Sequence, residues 1–274
     1  MQAQYDSAEN RLEEAGYLEV SGAHLYTVLH EVPNPAARLL LVGPFASERH
    51  SSYVPWVRWA RFLAARGIET LRYDYRGVGE STGAFEDMSF ADWTEDVKSL
   101  AGWLKGRSPD APLILHGLEC GALLASKAFA MDIGNALLLW APPANANEVL
   151  RTALLRRLAV EQAFKAVSER KPVSDYIRRL ETGQSLEVEG YEWSGRLWSE
   201  SFQFELPLGK DDEANAVWAR RRPVRVAKLG RSAAPLVKGS SLGFISRLNP
   251  DLSALFASDF EWIANVPAAI QGKQ

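Results

Sequence analysis

The chain has 274 residues, of which 47% are hydrophobic and 24% are charged, close to the average of folded globular proteins. This composition excludes a disordered or low-complexity chain, and the length fits one large α/β domain or two small domains. The net charge of −3 predicts no nucleic-acid partner, and the single cysteine excludes an intramolecular disulfide and a multi-cysteine zinc site. No metal or cofactor is predicted.

The N-terminal residues lack the basic and apolar regions of a signal peptide, and no run of about 18 apolar residues is present. We therefore expect a cytoplasmic protein without a membrane span. The sequence leaves the oligomeric state open.

Apolar runs alternate with helical patterns through the first 145 residues. A β-hairpin is predicted over 17–30, with its turn at Ser21 and Gly22. Further strands are predicted over 38–43, 68–73, 112–116 and 136–140, and helices over 53–66, 90–104 and 121–131. Strands that alternate with helices of about 10–15 residues predict βαβ units and a parallel sheet.

The pattern changes after residue 145. Helices are predicted over 148–169 and 173–182, followed by an aromatic, irregular stretch, and we interpret 146–215 as a lid inserted between core segments 1–145 and 216–274. In the last segment we predict strands over 224–229 and 242–245 and a helix over 251–264. The basic stretch from Arg220 to Arg247 indicates a solvated face, or a site for phosphate, a polyanionic sugar or an acyl-carrier partner.

Three motifs follow predicted strands in the order that an α/β-hydrolase requires. Residues 43–50, GPFASERH, occupy the place of the oxyanion loop, with Phe45 and Ala46 as candidate oxyanion or pocket residues. Residues 74–83 resemble the D-x-R-G-x-G-x-S turn of that superfamily. Residues 117–121, GLECG, align with the G-x-S-x-G nucleophile elbow and place Glu119 at the nucleophile position, with Cys120 beside it at the oxyanion hole.

Several short segments sharpen this resemblance. They are 44–46, 65–68, 77–81, 89–93, 117–125 and 187–194. Over roughly residues 15–200 the chain resembles exosortase-associated hydrolase-like proteins, in the serine aminopeptidase-like branch of the α/β-hydrolases. The resemblance implies an α/β-hydrolase fold, a mostly parallel doubly wound sheet flanked by helices, with a helical lid insertion. It also implies a setting in bacterial exopolysaccharide gene clusters, but no demonstrated reaction.

The residues of a Ser-His-Asp triad are missing. Glu119 stands where the serine would be, and the acid would fall near Arg231, inside a stretch without acidic residues. The histidines are His24, His30, His50 and His116, so none lies near the C-terminus, where this fold places its base. Residue identity therefore excludes ordinary triad hydrolysis.

Two roles for Glu119 stay open. As a nucleophile it needs a base, and His50 is the candidate, since His116 ends a buried strand and is expected to point away. Alternatively an ionised Glu119, its pKa lowered at a helix N-terminus, fills the former oxyanion hole. In that case its expected partner is one of Arg49, Arg58 and Arg76.

Cys120 is expected to be a buried inert thiol, with a reactive thiolate as the alternative, and Ser81 is expected to be a structural turn residue. Four tryptophans are candidate pocket walls or core residues: Trp56, Trp59, Trp193 and Trp198.

Three functions remain. The first is a degenerate hydrolase-fold protein that binds a small acyl or sugar ligand, or a protein partner. The second is a hydrolase of ester, thioester or other acyl bonds with Glu119 or Cys120 as nucleophile. The third is a structural assembly subunit.

Overall fold

The computed structural model describes residues 2–6, 11–44, 48–164, 166–206, 222–227 and 251–271. Its strands are β1 (Gln2–Asp6), β2 (Arg11–Val20), β3 (Ala23–His30), β4 (Ala37–Val42), β5 (Ile68–Tyr73), β6 (Leu113–Leu118), β7 (Ala136–Trp140), β8 (Leu186–Val188), β9 (Tyr191–Trp193) and β10 (Val224–Ala227). Its α-helices are α1 (Glu48–Ala64), α2 (Phe90–Arg107), α3 (Cys120–Ala130), α4 (Ala146–Ala163), α5 (Val173–Glu181), α6 (Gly195–Ser201) and α7 (Ser253–Gln271).

One sheet carries eight of these strands, in the order β1-β2-β3-β5-β4-β6-β7-β10. Strands β5, β4, β6, β7 and β10 run parallel, while β1, β2 and β3 extend one edge in antiparallel pairs. Helices pack on both faces, because right-handed crossovers that lead toward opposite edges of the sheet pass over opposite faces. This mostly parallel, doubly wound sheet confirms the predicted fold class.

Strand β4 shows why a central strand carries apolar residues at consecutive positions. Leu39 and Leu41 pack with residues of α1 and α7 on one face, and Leu40 and Val42 pack with residues of α2 and α3 on the other. Because both faces are covered, a polar residue of this strand is buried with a partner, as Arg38 is with Glu69 (Nε to Oε1, 2.9 Å).

The tryptophans mostly serve this core. Trp59 is fully buried on the α1 face, and Trp193 and Trp198 are 1% exposed in the core of the other face. Trp56 is also largely buried, but it lines a cavity that is described below.

Residues 146–206, here called the insertion, lie in the chain between β7 and β10. Strands β8 and β9 form a separate hairpin whose turn residues Glu189 and Gly190 both have positive φ, of 53° and 87°. The prediction that this stretch is irregular was therefore wrong: the hairpin is followed by the short helix α6. The boundary at 215, the predicted strand 242–245 and most of the basic stretch from Arg220 to Arg247 lie outside the described residues.

Helix α1 begins at Glu48, earlier than the predicted start at Tyr53. A glutamate in the first turn interacts favourably with the helix N-terminus, which helps to explain this start. The last helix also continues beyond its predicted end, to Gln271. Within the described ranges no helix is long and apolar enough to cross a membrane.

Candidate functional site

The turn between β6 and α3 has the backbone of a nucleophile elbow. Glu119 has φ 50° and ψ −122°, a conformation that a residue with a side chain seldom adopts. The flanking glycines permit it: a Cβ at Gly121 would lie 2.1 Å from the carbonyl oxygen of Gly43, and one at Gly117 would lie 2.4 Å from the Cα of Ala122. The spacing of G-x-E-x-G in the sequence therefore reflects a tight strand-to-helix turn.

The Glu119 side chain lies against a second carboxyl group, that of Glu48 in the first turn of α1. Both residues are buried, and the two carboxyl groups lie close enough that each shifts the pKa of the other. Burial, reinforced by the charge of Glu48, raises the pKa of Glu119 well above its ordinary value. Burial also raises the pKa of Glu48, although the neighbouring Glu119 opposes this effect. We conclude that the pair shares one proton, because two touching carboxyl groups do not both ionise.

The insertion supplies a cation next to this pair. The positive charge of Arg156, on α4, opposes the rise in pKa at both carboxyl groups, although both pKa values remain raised. Its guanidinium also binds Glu189 in the β8–β9 turn with two bonds, Nε to Oε1 at 2.9 Å and Nη2 to Oε2 at 3.1 Å. The elbow is thereby connected electrostatically to two elements of the insertion.

The expectation of an ionised Glu119 with a lowered pKa was wrong. A helix N-terminus favours a carboxylate by about 0.3–1 kcal/mol. Burial and the proximity of Glu48 act in the opposite direction and outweigh it at Glu119.

The expected arginine partners of Glu119 interact with other carboxylates. Arg49 donates to Asp74 (Nη2 to Oδ1, 2.6 Å), Arg76 donates to Asp96 (Nε to Oδ1, 2.8 Å), and Arg58 places its charge near Asp251. The cation that acts on Glu119 is Arg156, on an element that the sequence pattern did not connect with the elbow.

His116 is unsuited to be a base for the elbow. It is fully buried within β6, its Nδ1 is 3.0 Å from the Leu138 carbonyl oxygen, and its ring packs against Trp56 and Trp140. Burial lowers its pKa to about 3, so the imidazole is neutral at physiological pH. The side chain of His50 and the residues Phe45 and Ala46 lie outside the described residues, so their predicted roles remain predictions.

Cys120 is fully buried at the start of α3. Burial and the charges of Glu48 and Glu119 raise the pKa of its thiol well above the ordinary value. A thiol in this environment stays protonated, which disfavours the reactive alternative.

The turn at residues 74–83 is structural. Ser81 Oγ donates to the Asp74 carbonyl oxygen at 2.6 Å and accepts from the Tyr26 backbone N–H at 2.8 Å. Gly79 has φ 60°, and a Cβ there would lie 2.1 Å from Asp74 Oδ2. These contacts agree with the expected role of Ser81 as a turn residue.

A cavity of about 610 Å³ lies between α1 and the ends of β3, β4 and β5. Its described wall includes Gly43 and Pro44 at the end of β4, Tyr53 and Trp56 on α1, and Arg72 on β5, but not Glu119. Across the described ranges, no group of three His, Cys, Asp or Glu side chains is arranged to hold a metal ion.

Sequence reasoning missed Glu48, Arg156 and Glu189 as site residues. Glu48 lies within the oxyanion-loop motif, residues 43–50. An acidic residue in a loop that is expected to bind an anion is unusual, and this was the signal that could have identified Glu48 as a site residue. Arg156 and Glu189 carry no local signal, because only the packing of the insertion brings them together.

Residues 49–192 match the model of a protein family described as serine aminopeptidase, S33. Est1E from Butyrivibrio proteoclasticus, solved with ferulic acid, superposes with a TM-score of 0.64 at 17% identity, covering 93% of this chain and 100% of that chain. The α/β hydrolase GrgF from Penicillium sp. sh18 gives a TM-score of 0.58 at 15% identity, covering 93% and 99%. A soluble variant of monoglyceride lipase from Saccharomyces cerevisiae gives 0.54 at 12%, covering 92% and 94%.

At these identities the structural likeness establishes the α/β-hydrolase fold. No curated protein sequence matches the chain.

Proposed function

The chain belongs to the serine aminopeptidase S33 family, within the α/β-hydrolases, and we propose that it is a member that has lost hydrolysis and acts by binding a small molecule or a partner. The observation that supports this proposal is the carboxyl pair Glu48–Glu119 at the elbow. It stands where hydrolysis requires an exposed nucleophile next to backbone donors for an oxyanion.

A protonated Glu119 is a poor nucleophile, because a neutral carboxyl group attacks much more weakly than a carboxylate. Burial further restricts its reach to a substrate, since the residue is 8% exposed. The neighbouring thiol of Cys120 is buried and protonated, and no histidine follows His116 in the sequence.

The structural neighbour Est1E, solved with ferulic acid, supports a small molecule as the class of ligand. The resemblance to exosortase-associated proteins leads us to place this binding role in bacterial exopolysaccharide production. The neighbourhood of the gene tests that setting: polysaccharide-export genes beside it support the proposal, and a neighbourhood without them contradicts it.

The binding proposal is tested by assays for acyl transfer. We expect no turnover of p-nitrophenyl acetate, butyrate or octanoate above that of a Glu119→Ala control, and no labelling by a fluorophosphonate probe. A rate well above the control would show that hydrolysis persists and overturn the proposal.

A hydrolase with an unusual nucleophile is the alternative, and the strained φ of Glu119 favours it, because hydrolases use this strain to present their nucleophile. Intact-mass analysis after incubation with the same esters separates the two functions. A covalent adduct on Glu119 or Cys120 supports the hydrolase, and an unmodified chain supports the binding protein.

A further inference from the structure

An arginine with unused donors forms part of the wall of the 610 Å³ cavity. Arg72 is 8% exposed, so more than nine-tenths of the residue is buried. Its Nε donates to His30 Nε2 at 3.0 Å, whereas Nη1 and Nη2 reach no hydrogen-bond acceptor among the described residues. Neither nitrogen is buried without a partner, so both are accessible from the cavity and available to a ligand.

Among the described residues, no carboxylate forms a hydrogen bond or an ion pair with the Arg72 guanidinium. Because a guanidinium only donates, His30 Nε2 is the acceptor in this contact. The Nδ1 of His30 lies 3.5 Å from Oε1 of Glu13, and the same oxygen accepts from Arg61 Nε at 2.5 Å. Arg61 is thus the direct ionic partner of Glu13. The His30 ring contacts both Glu13 and Arg72, and the charge of Arg72 acts on Glu13 without a hydrogen bond between the two.

The rest of the wall limits which anion fits. Asp74 is held by Arg49 at 2.6 Å, and Glu80 adds a further carboxylate to the lining, which disfavours ligands with several negative charges. The aromatic side chains of Tyr26, Tyr53 and Trp56 offer apolar surface to the body of a ligand.

We propose that this cavity binds a small monocarboxylate with an aromatic or aliphatic body, and that the carboxylate pairs with the Arg72 guanidinium. The planar guanidinium presents two parallel donors that match the two oxygens of a carboxylate. The volume also lies within the range of about 300–1,000 Å³ that is usual for small-molecule sites. The site uses neither Glu48 nor Glu119, so it does not depend on the loss of hydrolysis.

Isothermal titration of the full chain tests the proposal, with cinnamate, hexanoate, glucuronate and inorganic phosphate as probes and cinnamamide as the neutral analogue. We expect cinnamate or hexanoate to bind and cinnamamide to bind at least about tenfold more weakly, because a charge-assisted bond to Arg72 is lost. Glucuronate and phosphate are expected to bind more weakly than the apolar acids.

Arg72→Gln should weaken carboxylate binding about tenfold or more. Arg66→Gln is the matched control, since Arg66 is exposed in the turn after α1 and donates to the Phe62 carbonyl oxygen. It should bind like the unmodified chain. Equal binding of acid and amide, unchanged binding by Arg72→Gln, preferential binding of phosphate or glucuronate, or no carboxylate binding at millimolar concentration would each overturn the proposal.

Arg72 is buried, so the folding of Arg72→Gln is checked by circular dichroism. If that variant does not fold, Tyr53→Ala replaces it, because Tyr53 lines the same cavity and is 48% exposed. Weakened binding by Tyr53→Ala, together with the difference between acid and amide, supports the site. Unchanged binding by Tyr53→Ala contradicts it.

Discussion

Glu119 shows how burial can reverse the effect of a helix terminus on one side chain. Its position at the start of α3 favours a carboxylate, yet the loss of solvent and the neighbouring Glu48 favour the acid. A position that in a serine hydrolase carries a reactive oxygen thus carries a proton shared between two carboxyl groups. This proton has a consequence for stability, because the unfolded chain releases it at a lower pH than the folded chain does.

Replacing Glu119 by glutamine should make stability less sensitive to pH. The pKa of Glu119 is raised in the folded state. The contribution of the protonated side chain to the free energy of unfolding is therefore fully present below the ordinary glutamate pKa of about 4.3, and it is lost as the pH rises through the raised value. The loss approaches about 1.4 kcal/mol per pH unit within that window. Glutamine does not ionise, so we expect Glu119→Gln to have a higher Tm than the unmodified chain at pH 8 and a similar Tm at pH 4.

Thermal unfolding between pH 4 and pH 8 measures this difference. Glu86→Gln is a suitable control, since Glu86 is exposed and should leave the pH dependence unchanged. An identical pH dependence for Glu119→Gln and the unmodified chain would show that the carboxyl of Glu119 ionises normally in the folded protein.

Among the elements, the insertion and the elbow are coupled through Arg156. Its guanidinium joins α4 to the β8–β9 turn through Glu189. The same charge lies close enough to Glu48 and Glu119 to oppose the rise in the pKa of both carboxyl groups. A lid role for the insertion remains a prediction, and this contact supports it, because it fixes the insertion relative to the elbow.

Arg156→Gln should loosen the β8–β9 hairpin. The substitution leaves Glu189 without its bidentate partner, and we expect a loss of about 1–3 kcal/mol in the free energy of unfolding. Hydrogen–deuterium exchange should rise in the hairpin, between Leu186 and Trp193. The control is Arg178→Gln, which removes an exposed i,i+3 pair with Asp175 and should change stability by less than about 1 kcal/mol. Equal effects of the two variants would refute a specific role for Arg156.

Across the whole molecule, Asp259 connects the C-terminal helix to the sheet. This fully buried carboxylate accepts from Trp140 Nε1 of β7 and from Arg225 Nε of β10, both at 2.5 Å. Helix α7 is distant in sequence from β7, so this contact holds the C-terminal helix against the face of the sheet that α1 also covers.

Asp259→Ala should destabilise the whole domain by about 3–5 kcal/mol, because Arg225 and the buried indole N–H lose their shared acceptor. Urea unfolding measures the loss. Glu261→Gln, two residues along the same helix and exposed, should stay within about 0.5 kcal/mol of the unmodified chain. A similarly small effect of Asp259→Ala would show that α7 docks through apolar contacts alone.

Local sequence signals were sufficient for most of the sheet. The strands at 68–73 and 136–140 have the predicted bounds, because each is a short segment between two helical patterns and is buried by the helices. Elements of the insertion were harder to predict. The β8–β9 hairpin is only three residues per strand and depends on a turn in which Glu189 has positive φ, which side-chain patterning does not reveal.

By itself the sequence determined the α/β class, the elbow turn and the glutamate at its central position, because each follows from periodicity or from which residue stands at which position. The tertiary structure alone decided that Glu119 meets Glu48, that Arg156 is the nearby cation, and that Arg72 faces a cavity. Solvent exposure and the charges of residues distant in sequence set the state of an ionisable group. Both quantities are properties of the packed chain, so the protonation of Glu119 could not be predicted from its neighbours in the sequence.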